Sequence, residues 1–260
     1  MIFEKILVPV DGSVRSDIAT EIAINSAKDF GTHIMFLNVV DFSSNMKFGR
    51  VEGIDEILEL QTEGQKAIDR VIAMSKEAGI PYDTKIVQGD PADVIIKMSK
   101  NYDQIVLGVT GKGGVGRIGH TAEKVIEKSA CPVLTVKSGS RGIHYILLPV
   151  SNMNTKAIEV AIENTKAVNG ELTILAIKND GVDAEALVKE ISDKCKDAEV
   201  RAETKIREGD PVEVILAQSG KYDLVIMGTM SLGKGDVLHG GVTEHLILHS
   251  SCPVTVVRDQ

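Results

Sequence analysis

The sequence predicts an α/β protein: two tandem domains, each a doubly wound parallel sheet with helices on both faces. Two observations carry that prediction. Short apolar runs alternate with amphipathic stretches of helical period, the pattern of parallel strands joined by crossover helices. The chain also repeats itself. "KILVPVDGS" (5–13) is echoed by "YILLPVSNM" (145–153), and "VQGDPADVI" (87–95) by "REGDPVEVI" (207–215). "YDQIVLG" (102–108) returns as "YDLVIMG" (222–228), and "SACPVLTV" (129–136) as "SSCPVTVV" (250–257). The offset between copies falls from 140 residues at the first pair to 120 or 121 at the others, so the second copy is about 20 residues shorter between its first and third strands. The domains are read as 1–138 and 143–260, joined within "KSGSRGIH" (137–144), a short polar stretch with two glycines.

In the first copy, "KILVPV" is a continuous apolar run, as a strand buried on both faces requires. The helix after it carries Ala19, Ala23, Ala27 and Phe30 along one side, with Ile18 and Ile22 beside them. "HIMFLNVV" is the second strand. The segment "DFSSNMKFGRVEG" (41–53), absent from the second copy, is a lid or a longer loop. Ala67, Ile68, Val71, Ile72 and Ala78 mark a helix that ends at Gly79. "DTKIVQG" is the third strand, and Pro91 sits where a helix begins, since its missing N–H is not needed there. "DQIVLG" and "PVLTV" are strands four and five, with a 119–129 helix between them. Ligands of such folds collect beyond the C-terminal strand ends, where the strand order reverses. Asp11, Val39 and the 108–121 loop occupy those ends.

Composition narrows the function classes. A chain of 260 residues, 43% apolar, can bury substantial cores. Net charge −8 argues against a general nucleic-acid binder, which needs a basic footprint. Aromatics at 3% and no Trp leave no base-stacking platform. No run approaches the roughly 20 apolar residues that span a bilayer, and "MIFEKILVPVDGS" lacks the pattern of a secretory signal. The expected setting is the cytoplasm, with neither membrane nor nucleic acid as partner. Cys131, Cys195 and Cys252 are far apart without C-x-x-C spacing, so neither a zinc site nor a disulfide framework is indicated. Cys131 and Cys252 read as small buried hydrophobes, and Cys195, at helical spacing from Leu187 and Ile191, as core.

The chemistry concentrates in "IVLGVTGKGGVGRIGHTAEKVIEK" (105–128). Its "GKGGVGRIG" (111–119) looks like a deviant Walker A loop, but Arg117 and Ile118 stand where Lys and Ser/Thr are needed, and it follows the fourth strand. "VPVDGS" does not supply the dinucleotide G-x-G-x-x-G. "VDGSVRS" fails the S-G-G-x-D-S of ATP pyrophosphatases, and "VQGDP" leads into a helix where a receiver domain needs its acceptor Asp. By contrast, "VPVDGS", the "GDP" turn, "IVLGVTG" and "AEKVIEKSACPVLTV", in this order and twice over, resemble the universal stress protein family across almost the whole chain.

That resemblance implies an open five-stranded parallel sheet in each domain, of order 3-2-1-4-5. Many members bind ATP through a G-x2-G-x9-G-[ST] loop after strand four, with an Asp at the end of strand one; others bind no nucleotide. Carried over, Asp11 contacts the ribose, Val39 faces adenine through its backbone, and Gly108 and Gly111 are the first two loop glycines. Aligning "AEKV" makes Gly119 the third, with seven residues intervening where the family pattern has nine, and puts His120 where the family has Ser or Thr. Pro9, Val10, Lys112 and Thr121 complete the candidate set. Physically, glycines at 108, 111, 113, 114, 116 and 119 permit positive φ and close backbone approach. A helix starting near Gly119 offers unpaired N–H groups to an anion, and Lys112, Arg117 and His120 add positive charge. The plainer alternatives are a surface turn for the glycines and a cap or turn for Asp11.

The expected ligand is ATP, or ADP or AMP, with Mg²⁺ as its companion, held by the first domain in a sensing or regulatory role. The alternative is an interaction scaffold of the same fold that binds no nucleotide. No nucleophile arrangement and no acid–base carboxylate pair stands out, so no catalytic residue is assigned, although slow ATP hydrolysis is compatible with a site holding Mg²⁺ and water. Family members commonly dimerise through strand five, which implies an intrachain pseudo-dimer, leaves a homodimer open, and leaves the protein partner unknown. The second domain has Ser151 at the Asp11 position and a degenerate loop (228–245), with Ser231 for the second glycine, Gly241 at the hydroxyl position and an added Asp236. One nucleotide per chain is therefore expected; a weak anion site around Gly233, Lys234 and Gly235, or a degenerate pocket that accepts AMP, stays open for the second domain.

Overall fold

The computed structural model describes residues 3–41, 46–47, 50–51, 54–109, 116–137, 142–153, 155–178, 183–229 and 241–258. The chain divides into two compact units, Phe3–Gly139 and Ser140–Gln260. In the first, the elements are β1 (Lys5–Pro9), α1 (Val14–Phe30), β2 (His33–Val40), β3 (Met46–Lys47), β4 (Arg50–Val51), α2 (Ile54–Ala78), β5 (Tyr82–Gln88), α3 (Pro91–Met98), β6 (Gln104–Gly108), α4 (His120–Lys128) and β7 (Val133–Val136). Its five long strands lie in the order β5-β2-β1-β6-β7 and all pair in parallel. The second unit comprises β8 (Tyr145–Val150), α5 (Thr155–Ala167), β9 (Glu171–Ile177), α6 (Ala184–Asp197), β10 (Ala202–Arg207), α7 (Pro211–Ser219), β11 (Leu224–Gly228), α8 (Val242–His249) and β12 (Val254–Val257). Its order, β10-β9-β8-β11-β12, is the same arrangement. Both sheets therefore have the expected order 3-2-1-4-5.

The central strands are mostly apolar because helices cover both faces. Ile6, Leu7 and Val8 on β1 and Ile105 and Val106 on β6 are fully or almost fully buried, as are their counterparts Ile146, Leu147, Leu148, Val225 and Ile226. Each such side chain contributes roughly 1.5–3 kcal/mol relative to exposure. Cys131, Cys195 and Cys252 are all buried, as expected. Burial raises the Cys195 thiol from the ordinary 9.0 to about 11.

The exactly repeated motifs turn out to be scaffold devices. In "YD", the Asp103 carboxylate accepts the Glu4 and Lys5 N–H groups (both 2.9 Å) that open β1. Asp223 does the same for His144 and Tyr145 at the start of β8. In "GDP", Asp90 and Asp210 are N-caps of α3 and α7, accepting from Asp93 and Glu213 N–H, with Pro at the first helical position. The glycines before them take φ of 149° and 128°, a region side-chain-bearing residues rarely adopt. Ser99 and Ser219 accept from the Ala130 and Ser251 N–H groups ahead of strand five.

Two elements differ from expectation. The α2 helix starts at Ile54, well before the apolar stripe beginning at Ala67. Within 41–53, the described part is an antiparallel hairpin of β3 and β4, and the rest lies outside the described residues. Among the described residues no helix is long and apolar enough to cross a membrane.

Candidate functional site

The chain leaves β1 for β2 on one side and, after β5, crosses to β6 on the other. The reversal opens a crevice above the C-terminal ends of β1 and β6. A cavity of about 390 Å³ occupies it, lined by Pro9, Val10, Asp11, Val39, Gly108, Gly119, His120 and Thr121 among others. Eight of the ten candidate residues thus meet in one place. The other two, Gly111 and Lys112, lie outside the described residues, as do Gly113 and Gly114. Sequence reasoning missed Leu37, Pro91, Ile95 and Leu107, which supply apolar walls, and the hydroxyl-bearing Ser13 and Ser16.

Asp11 is exposed at the cavity's edge, and its Oδ1 accepts the Ser13 N–H at 2.9 Å. This is an Asx turn, completed by Gly12 at φ 75°. Ser13 then caps α1 by accepting the Ser16 N–H at 3.2 Å. The turn role foreseen for Asp11 is therefore real, and it fixes where the carboxylate sits while leaving Oδ2 without a partner among the described residues. Asp11 and His120 are the only ionisable side chains among the described lining residues.

Gly108 and Gly119 do not have the conformation expected of them. Neither has positive φ; among the described loop glycines only Gly116 does, at 76°. Gly108 is glycine because an added Cβ would lie 2.8–2.9 Å from Arg15 atoms, including its backbone. The first turn of α1 passes directly over the end of β6. Gly119, at φ −67°, is the N-cap of α4 and makes no side-chain capping bond. By contrast α1, α3, α6 and α7 each have a Ser or Asp that accepts a first-turn N–H. The N–H groups of His120, Thr121 and Ala122 have no partner among the described residues, and all three residues line the cavity. An uncapped helix start of this kind presents oriented donors and the positive end of the helix dipole to an anion.

The second unit keeps part of this arrangement. Gly241 caps α8 without a side-chain bond, as Gly119 caps α4. Ser151, in the Asp11 position, is buried. At the end of β9, Lys178 approaches Glu185 (3.7 Å) and Glu208 (3.4 Å). These contacts raise its pKa, most strongly the hydrogen bond to Glu208. Residues 230–240, including Ser231, Asp236 and Gly240, lie outside the described residues.

Comparison with known proteins agrees with this architecture. The pattern of the universal stress protein family matches residues 2–137 and 178–258. A universal stress protein of Methanocaldococcus jannaschii is 41% identical over 143 residues, covering 52% of this chain and 83% of that protein. One from Mycolicibacterium smegmatis is 24% identical over 286 residues, covering 97% of this chain and 96% of its own. The crystal structure of a universal stress protein from Archaeoglobus fulgidus, 24% identical, matches with a TM-score of 0.80 over 98% of this chain and 96% of that one. The chain belongs to the universal stress protein family and carries its fold twice.

Proposed function

We propose that the first unit binds one adenine nucleotide, ATP or its ADP or AMP forms, and that the bound state serves sensing or regulation through a protein partner in the cytoplasm. The observation that carries this is the convergence of eight candidate residues on one cavity at the sheet's switch point. Its apolar walls, Leu37, Val39, Ile95 and Leu107 among them, suit a purine and the carbon face of a ribose. The Asp11 carboxylate suits a ribose diol, accepting from two hydroxyls more strongly than a neutral group would. The open N–H groups of α4 suit a phosphate.

Among the described residues no group of three or more His, Cys, Asp or Glu could hold a metal. Among the described lining residues Asp11 is the only carboxylate. Mg²⁺ in this reading arrives with the triphosphate, the usual way it binds beside nucleotides. Native mass spectrometry of the purified protein tests the proposal. An added mass of AMP, ADP or ATP, or its appearance on titration with ATP, is expected. No adduct at millimolar nucleotide would favour the scaffold alternative.

A further inference from the structure

We infer that Asn38 is a positioning residue: its side-chain amide ends the β1–β2 ladder one bond early and so frees the Val39 main chain to read the edge of an adenine. The second half of that statement rests on the nucleotide-binding reading above; the first half stands on geometry alone. In a parallel ladder, a paired residue donates to the residue before its partner and accepts from the residue after it. Val10 makes the first of these bonds, its N–H donating to the Leu37 carbonyl at 2.8 Å. The second would come from the Val39 N–H. Instead, the Val10 carbonyl accepts from Asn38 Nδ2 at 2.8 Å. The strand pairing accordingly stops at Pro9↔Leu37.

The second unit supplies an internal comparison. There Ala176 stands in the Asn38 position and has no amide to offer. The β8–β9 register runs one pair further, to Val150↔Ala176, which places the Ile177 N–H on the Val150 carbonyl. One residue type thus separates a closed strand end from an open one.

Asn38 is also held for this purpose. It is buried at 6% exposure, and its Oδ1 has no hydrogen-bond partner. Gly64 of α2 lies against that oxygen, and a Cβ there would collide with it. A buried amide with one unpaired oxygen is costly, so the bond from Nδ2 to Val10 is the interaction this arrangement preserves.

On β2 the Val40 carbonyl accepts from Gly89 on the β5 side, whereas the Leu37 carbonyl faces β1. By alternation, the Val39 N–H and C=O face the β1 side, where β1 has ended and the cavity begins. A donor beside an acceptor matches adenine, whose ring N1 accepts and whose N6 amino group donates. Guanine presents the reverse pair, so this edge discriminates between the two purines.

Amide hydrogen exchange by NMR on the whole chain tests the inference, combined with competition between ATP and GTP. In the nucleotide-free protein the Val39 N–H should exchange fast, while Leu37 and Ile177 N–H stay protected; ATP should protect Val39. In Asn38→Ala, Val39 should become protected without nucleotide, and the ATP-over-GTP preference should shrink by roughly tenfold, the effect of losing one good hydrogen bond. A Val39 amide as protected as Leu37 in the free wild-type chain would overturn the inference. So would an Asn38→Ala protein that keeps its ATP-over-GTP ratio. Should that variant fail to fold, the wild-type contrast between Val39 and Ile177 still decides the ladder claim. If the exchange pattern holds and no nucleotide binds, the nucleotide reading fails and the ladder claim survives.

Discussion

Asp11 makes a turn and, in the proposed reading, also contacts the ribose, and substitutions can separate the two. One carboxylate oxygen makes the turn to Ser13, and the other is open at the cavity edge. Asp11→Asn keeps an Asx turn and loses the charge, so stability should be unchanged while ATP binding weakens. Asp11→Ala should weaken binding by about 1–3 kcal/mol, the range for losing a good polar contact. Calorimetric titration of both variants checks this; full affinity in either one removes the ribose role. Cys195 gives a pH-dependent test of the core. Its folded thiol titrates at about 11 against an ordinary 9.0, because burial disfavours the thiolate. The folded chain therefore keeps a proton that the unfolded chain loses between those values, so stability should fall as pH rises through that window. Denaturant melts should show that slope in the wild type and a flatter one in Cys195→Val.

At the scale of elements, the strands and most helices were legible because their apolar runs and caps are local signals. "GDP" announced both helix starts, and the structure gives the reason in Asp90 and Asp210. The early part of α2 was not legible: "IDEILELQTEGQK" (54–66) is charged, contains a glycine and adjoins a segment missing from the other copy. That glycine, Gly64, is explained only by Asn38, a tertiary neighbour. A signal for Asn38 was nevertheless present: a polar residue inside the apolar "FLNVV", matched by Ala176 in the repeat. Gly108 lines the cavity without a positive φ, and a different constraint makes it glycine. Its lack of a Cβ lets α1 cross the end of β6, so Gly108→Ala should cost stability even without nucleotide, by roughly 1–3 kcal/mol as in other overpacked sites. A thermal melt of the ligand-free variant measures it; an unshifted melting temperature would mean that α1 gives way cheaply.

At the scale of the molecule, what repeats closely between the copies is scaffold: the strand-start aspartates, the helix-start "GDP" and the serines Ser99 and Ser219 that hold the turn ahead of strand five. What diverges lies at the C-terminal strand ends, where Asp11 becomes Ser151, Asn38 becomes Ala176 and the loop after strand four changes. Divergence at the ligand edge of a shared scaffold is the pattern expected when one copy keeps a binding function and the other does not. The pseudo-dimer implied by the family resemblance has its own test: halves expressed separately should associate, and stable monomers at high concentration would contradict it. Binding stoichiometry bears most directly on the whole account. Calorimetric titration of the intact chain with ATP should give one site per chain, weakened by Asp11→Ala and unaffected by Ser151→Ala. Two equivalent sites per chain, or one site indifferent to Asp11, would contradict it.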